Sequence, residues 1–353
     1  MPINLFTDPT HYHSDLRTYL HPLLRPFIGK SSGFTDRQRR ELYGLGEEDF
    51  RVVTDPRKAQ VAVLPMAWNF YRYNAPIERA LSFWEKSRKA GLHVFSWNAG
   101  DFGVRVPELE GLVVHRCNGY RSKLPAYHRG MPVFISDPLI LIYNRSELFL
   151  REKNEKPVVG FCGQGDGHLG KYALDIARTT WRNFKCYVRM TYDEPQTLYP
   201  STLLRKRVLD LMESDDRIQT NFIRRKKYRA GVRTEQERQK TTREFYDNMV
   251  NSDYIVCVRG GGNFSVRFYE AMAMGRIPLL LDTDCLLPIE EEQSWQEVIV
   301  RSNNLDQMGE LLLAKFNSTD DEEFVESQER ARMFWCDHLT LKGFYLSEIS
   351  RYC

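Results

Sequence analysis

A chain of 353 residues with 42% hydrophobic and 12% aromatic content has enough apolar mass for more than one core, which excludes large-scale disorder. Fifty basic against 47 acidic residues leave a formal charge of +3, so there is no global positive field of the kind nucleic-acid binders use, and an anionic ligand must be met by a local cluster. No stretch reaches the roughly 20 apolar residues of a bilayer span, and "MPINLFTDPTHYHSD" lacks the charged-then-apolar plan of a signal peptide.

The predicted elements begin with a strand "INLF" and a polar segment, then "VAVLPMAW" (61 to 68), a helical "IERALSFWEKSRKAG" closed by Gly91, "HVFSW" (93 to 97) and "LVVHRC". Strands alternating with helices predict a parallel sheet with helices on its faces, and ligands sit at the C-terminal ends of such strands. After "MPVFISDPLILIYN" comes a polar, hinge-like stretch, "RSELFLREKNEKP" (145 to 157), where a domain boundary is expected. The second half repeats the plan with "VVGFC", a glycine-rich "GQGDGHLG", a helix "KYALDIARTTWRNF", a basic segment (224 to 249), strand "YIVCV", a loop and helix, strand "IPLLL", a strand-like "WQEVIV" and helices from about 305. The expected division is 1–150, 151–320, and C-terminal helices over 321–353 that pack back on the first domain. A ligand is expected in the cleft between two doubly wound domains.

Seven cysteines (117, 162, 186, 257, 285, 336 and 353) show neither a C-x-x-C pair nor zinc spacing and read as mostly reduced, buried thiols of a cytosolic protein. The sequons at Asn144, Asn263 and Asn317 read as chance matches.

The densest chemistry is in "RGGGNFSVRFYEAMAMGRIPLLLDTD", residues 259 to 284. A strand running into glycines and then a helix N-terminus near Ser265 offers backbone N–H groups and a positive dipole end to a phosphate. The spacing is neither G-x-G-x-x-G nor a P-loop, so a plain glycine turn is the competing reading. The following helix is apolar nearly all round except for Arg267 and Glu270, three apart and on one face. An internal ion pair is one reading. The other directs Arg267 to phosphate and Glu270 to the vicinal hydroxyls of a ribose.

The stretch "YDNMVNSDYIVCVRGGGNFSVRFYEAMAMGRIPLLLDTDCLLP" resembles the C-terminal half of exostosin-like glycosyltransferases, glycosyltransferase family 47, through its S-x-R-x-x-E-A-x-x-x-G-x-I-P pattern. "PVVGFCGQ" with Arg178, and "FSWNAGDFG" with Asp101 and Gly103, are similar to earlier family elements. The resemblance implies an α/β, GT-B type fold of two Rossmann-like domains facing across a cleft. It also implies an inverting, metal-independent transfer from a UDP-sugar to a hydroxyl of a glycan or glycoconjugate, with no cofactor beyond the donor. Glu270 would then hold the donor ribose, and Arg267, Ser265 and the backbone of Gly260, Gly261, Gly262, Asn263 and Phe264 would face the diphosphate. Arg259, where many members have proline, adds a phosphate contact or caps the loop. Members from animals and plants carry a membrane anchor, so the expected setting is the cytoplasm of a microbial or viral system, or the Golgi lumen for a chain cut from its anchor.

Without a metal, the leaving diphosphate needs arginines and a helix N-terminus: Arg259, Arg267, the helix at Ser265 and Arg178. "RRKKYR" (224 to 229) reads as a solvated charged face or a further phosphate contact, and without interleaved aromatics it does not read as a nucleic-acid patch. The base is expected from the first half: Asp101 in the loop after "HVFSW", or His11 or His13 in "TDPTHYHSD". Asp282 and Asp284 form the rival site, since D-x-D after a strand holds Mn²⁺ in the metal-dependent GT-A fold. A catalytically inactive glycan-binding protein on the same fold is the alternative of another class. In "PMAWNFYRYN" (65 to 74), Trp68, Tyr71 and Tyr73 read as sugar-stacking surfaces or as core.

Overall fold

The computed structural model describes residues 1–29, 34–165, 169–226, 231–232, 234–289 and 292–352. The first sheet holds β1 (Ile3–Phe6), β2 (Phe50–Val53), β3 (Val61–Val63), β4 (Val94–Trp97), β5 (Leu112–Arg116) and β6 (His128–Gly130), in the order β2-β1-β3-β4-β5-β6, with every pairing parallel. Its strands are short apolar runs; β3, β4 and β5 are buried along their whole lengths, as a parallel sheet covered on both faces requires. The helices of this half are α1 (Asp36–Tyr43), α2 (Trp68–Tyr73), α3 (Ile77–Lys89) and α4 (Pro138–Tyr143). A Thr35/Gln38 capping box starts α1, and Gly44 at φ 68° ends it.

The second sheet holds β7 (Val158–Gln164), β8 (Gln219–Arg225), β9 (Tyr254–Cys257), β10 (Ile277–Leu281) and β11 (Val300–Ser302), ordered β11-β10-β9-β7-β8 and again parallel. Its helices are α5 (Leu169–Tyr187), α6 (Ser201–Glu213), α7 (Glu235–Val250), α8 (Val266–Ala273), α9 (Glu292–Gln296), α10 (Met308–Ser318) and α11 (Asp321–Phe334). Counted within itself, each sheet runs second, first, third, fourth, fifth, and the first sheet adds a sixth strand at the end. The strand order therefore reverses between β1 and β3 in one half and between β7 and β9 in the other. Those reversals are where neighbouring loops diverge and leave a crevice for a ligand.

A five-residue π-helical turn, Trp335–Leu339, links α11 to α12 (Leu341–Ser350). Leu341, Phe344, Tyr345 and Ile349 of α12 belong to the core of the first half. Its Glu348 faces His115 of β5 at 3.4 Å, and this hydrogen bond holds the Glu348 carboxyl below its ordinary value despite burial. The chain thus crosses back after building the second sheet.

Several local expectations change. "WQEVIV" is not one strand: Trp295 and Gln296 close α9, and only Val300 enters β11. Residues 145–157 contain no helix or strand, yet they are pinned rather than loose. Arg151 binds Asp253 at 2.6 Å and exchanges backbone hydrogen bonds with the Gln328 side chain, and Arg276 donates to the Phe149 carbonyl. Trp68 and Tyr71 are core residues, each about 1% exposed, because Trp68 bonds Ser96 and Tyr71 bonds His11 beneath the surface. Tyr73 is exposed and donates to Asp193 of the second half.

Candidate functional site

The loop after β9 is built around close approach. The Gly260 N–H donates to the Phe264 carbonyl at 2.8 Å, folding residues 260–264 back on themselves. A Cβ on Gly261 would stand 2.8 Å from Asp101 Oδ2, and one on Gly262 would stand 2.5 Å from the Asp101 carbonyl oxygen and 2.7 Å from the Phe264 ring. None of the three glycines has a positive φ, so the need for glycine here is room. That room is taken by Asp101 from the loop after β4. Gly261 and Gly262 form a seam between the two halves, whereas a Cβ on Gly260 would meet only the Phe264 carbonyl oxygen, at 3.7 Å.

Asn263 fastens this seam. Its amide donates to the carbonyls of Gly119, Thr283 and Asp284, and its Oδ1 accepts from Thr283. With both ends of the amide engaged, its side chain holds the loop. Nearby, Tyr120 and Cys285 form an antiparallel bridge between the halves.

Arg259 follows directly from β9 and is buried, donating to the Tyr199 carbonyl. Arg267, in the first turn of α8, donates to the Cys162 carbonyl at 2.8 Å, with its guanidinium 4.2 Å from the Phe161 ring centroid. Gly163 admits it, since a Cβ there would stand 2.6 Å from Arg267 Nη2. Arg205 of α6 donates to the Gln164 carbonyl at 2.9 Å and to Ser201. Burial, with repulsion from Arg267 and Arg259, pushes Arg205 down to about 10, and burial also lowers Arg259 and Arg267. Each of the three has a buried Nε without a hydrogen-bond partner. Among the described residues no carboxylate lies within ion-pair distance of Arg205, Arg259 or Arg267. Partly desolvated cations gathered near Arg205, beside the β7/β9 reversal, are an arrangement that an anion would stabilise.

Arg205 is the residue that sequence reasoning missed, although a signal existed. It shares the spacing of Val208, Leu209 and Met212, all buried, so it interrupts the core-facing stripe of α6. Ser265 caps α8 without a side-chain hydrogen bond to its first turn. Glu270 is half-buried and lies 3.5 Å from the Tyr246 hydroxyl. Arg178 stands exposed on α5; one turn further on, Arg182 stacks on Phe102 at 3.7 Å and lowers the Asp101 carboxyl electrostatically. Of "RRKKYR", Arg224 pairs with Asp210 and Glu213, and Arg225 pairs with Glu244, while residues 227–229 lie outside the described residues, as do residues 166–168 of "GQGDGHLG".

The three base candidates separate. The crowded protein around Asp101 raises its carboxyl above the usual range, more than Arg182 lowers it. Its side chain stays open to solvent. His11 is buried, 2.9 Å from the Tyr71 hydroxyl, and burial pulls it down. His13 is exposed. Only Asp101 is seen against the glycine loop.

The D-x-D carboxylates have partners. Asp282 accepts from Arg301 through Nε at 3.0 Å and Nη2 at 2.6 Å, and from the Cys285 N–H at 2.7 Å. Asp284, at φ 67°, accepts from the Ser122 N–H and hydroxyl. Arg121 lies within 3.9 Å of both carboxylates. Six cysteines are free thiols, and Cys353 lies outside the described residues.

No protein-family model matches the chain, nor does any curated protein. Among solved structures it is similar to a glycosyltransferase from Rickettsia africae ESF-5, at 10% identity over 99% of this chain and 98% of that one, with a TM-score of 0.38. It is also similar to HepE of Anabaena in complex with UDP and glucose, at 9% identity over 99% of this chain and 100% of that one, with a TM-score of 0.31.

Proposed function

We propose that the protein is a glycosyltransferase of GT-B type and exostosin kind, moving a sugar from a UDP-sugar to a hydroxyl of a glycan or glycoconjugate with inversion. The observation that carries this reading is the cluster of buried Arg259 and half-buried Arg205 and Arg267, none within ion-pair distance of a carboxylate among the described residues, beside a loop seamed to Asp101 of the opposite half. A diphosphate offers the charge this cluster lacks and needs most when it departs, as negative charge collects on its oxygens. Glu270, one turn from Arg267, would accept hydrogen bonds from the ribose hydroxyls.

In the transfer, the acceptor oxygen forms a bond to the anomeric carbon from the face opposite the donor bond. The bond from that carbon to the diphosphate oxygen breaks, and its electron pair stays with the diphosphate. Asp101 takes the acceptor proton, for which a raised carboxyl pKa is suited because base strength follows pKa. Charge neutralisation by arginines makes a metal unnecessary. The ties of Asp282 to Arg301 and of Asp284 to Ser122 weigh in the same direction.

The test is a thermal-shift screen of nucleotide sugars followed by NMR of the product's anomeric configuration. UDP and at least one UDP-sugar should raise the melting temperature, with loss of that shift in Glu270→Ala. The product should have the anomeric configuration opposite to the donor. No shift with any nucleoside diphosphate, or a retained configuration, overturns the reading.

A further inference from the structure

Half of the exposed large hydrophobic side chains of the described residues fall within 174–198. On α5 they are ordered: Leu174, Ala177, Trp181, Phe184 and, just beyond the helix, Val188 recur at intervals of three and four, which is one stripe of a helix. The opposite side of the helix is the one that packs, through Tyr172, Asn183 and Cys186. Trp181 is 60% and Phe184 50% exposed, and their rings stack on each other 5.6 Å apart in solvent. Tyr187, at 71%, and Met190, at 68%, extend the apolar surface past the end of the helix. Scattered apolar side chains are normal on a surface, but a continuous aromatic and aliphatic stripe is not.

Charge identifies what covers it. Residues 169–190 carry five basic side chains and one acid, Asp175. Arg178 and Lys185 flank the stripe, each four residues on from Leu174 and Trp181, and Arg189 follows. Two copies paired through this face would set cation against cation with one acid each, which opposes a dimer. An anionic surface suits every one of these charges, and Trp, Tyr and Phe beside Lys and Arg are the side chains that settle at a lipid–water interface. Leu174 and Val188 add aliphatic depth that base stacking in a nucleic acid would not use.

We infer that the outer face of α5 and the segment through Met190 is a docking surface for an anionic lipid bilayer, on which the helix lies parallel to the membrane plane. This assignment stands independently of the transfer reaction. Through Arg182 on Phe102, the same helix also touches the Asp101 loop, so a docked protein has that loop beside the membrane.

Co-sedimentation with sucrose-loaded vesicles tests it, comparing phosphatidylcholine alone with phosphatidylcholine containing roughly 30% phosphatidylglycerol at about 0.1 M salt. The protein should partition at least about tenfold more strongly to the anionic vesicles, and Trp181→Ser/Phe184→Ser should lower that partition by about tenfold or more. Lys185→Glu should weaken binding to the anionic vesicles only. Both rings stand in solvent, so the double variant should keep the wild-type melting temperature; Lys185→Glu decides the matter if it does not. Wild-type protein remaining in the supernatant with both vesicles, or variants that partition like wild type, overturns the proposal. So does a wild-type dimer in sedimentation velocity that Trp181→Ser/Phe184→Ser converts to monomer, since the face would then belong to a second copy.

Discussion

Asp101 Oδ2 lies 2.8 Å from where a Cβ on Gly261 would stand, so an aspartate of the first half and a glycine of the second occupy complementary space. Any side chain at Gly261 must displace the carboxyl that we propose as the base. Gly261→Ala should therefore lower kcat by about 10- to 100-fold, the scale of a displacement near 1 Å in a reacting group. The dissociation constant for UDP, measured by calorimetry, should change less than about threefold, because Arg205, Arg259 and Arg267 are untouched. Unchanged kcat would remove Asp101 from the reaction.

The pH profile gives a second test of the same residue. Asp101 must be ionised to take a proton, and its carboxyl is raised above the ordinary value, so the acid limb of kcat/KM should fall above pH ~4. Asp101→Asn should lose that limb with most of the turnover. The sign for stability is opposite: a carboxyl raised by folding contributes below its unfolded pKa and loses that contribution as pH rises through its folded pKa. At neutral pH, Asp101→Asn should thus melt no lower than wild type.

Arg205→Met keeps the stem of the side chain and removes the charge that Arg259 and Arg267 both repel. UDP binding should weaken by about 10- to 100-fold, as for a lost charged hydrogen bond, while the melting temperature without ligand holds or rises. Calorimetry and thermal melts on one preparation decide it. Equal affinity would show that the diphosphate does not reach Arg205.

Asp282→Asn breaks the pairing with Arg301 and should cost about 3–5 kcal/mol in urea unfolding, the scale for removing one partner of a buried pair. Turnover of wild-type protein in excess EDTA should persist. Loss of activity that Mn²⁺ restores would return Asp282 and Asp284 to the role of metal ligands.

Acid should unfold the protein through its buried histidines. Burial and Arg116 push His128 down to about 3, and burial with His115 lowers His21 well below its ordinary value. Both folded values lie under the unfolded one near 6.5, so their contribution is complete above about pH 6.5 and is lost as pH falls through the window toward 3. The urea midpoint should drop between pH 7.5 and 4.5, and His128→Asn should narrow that drop. An unchanged pH dependence in the variant would clear His128.

Much of the architecture was legible because its signals are local. Short apolar runs separated by helical spacing indicated two parallel α/β halves, and the single-face pair Arg267 and Glu270 set α8 apart from a wholly apolar helix. Arg205 could have been read from the same periodicity, as the charged member of the buried stripe of Val208, Leu209 and Met212. Its meaning could not, because a lone arginine on a core face acquires a role only when Arg259 and Arg267 arrive from the loop after β9 and from α8.

The sequence by itself determined the alternation of strands and helices in both halves, the positions of the glycines, and the residue types available for chemistry, since these depend on spacing along one chain. Tertiary structure alone decided that the glycines admit Asp101 and not open space, that Asn263 is spent on the seam, and that Asp282 belongs to Arg301. It also decided that Arg259 and Arg267 come close to Arg205. Those outcomes depend on which distant groups share a few ångströms of desolvated space, where electrostatic and steric energies are largest and sequence separation carries no information.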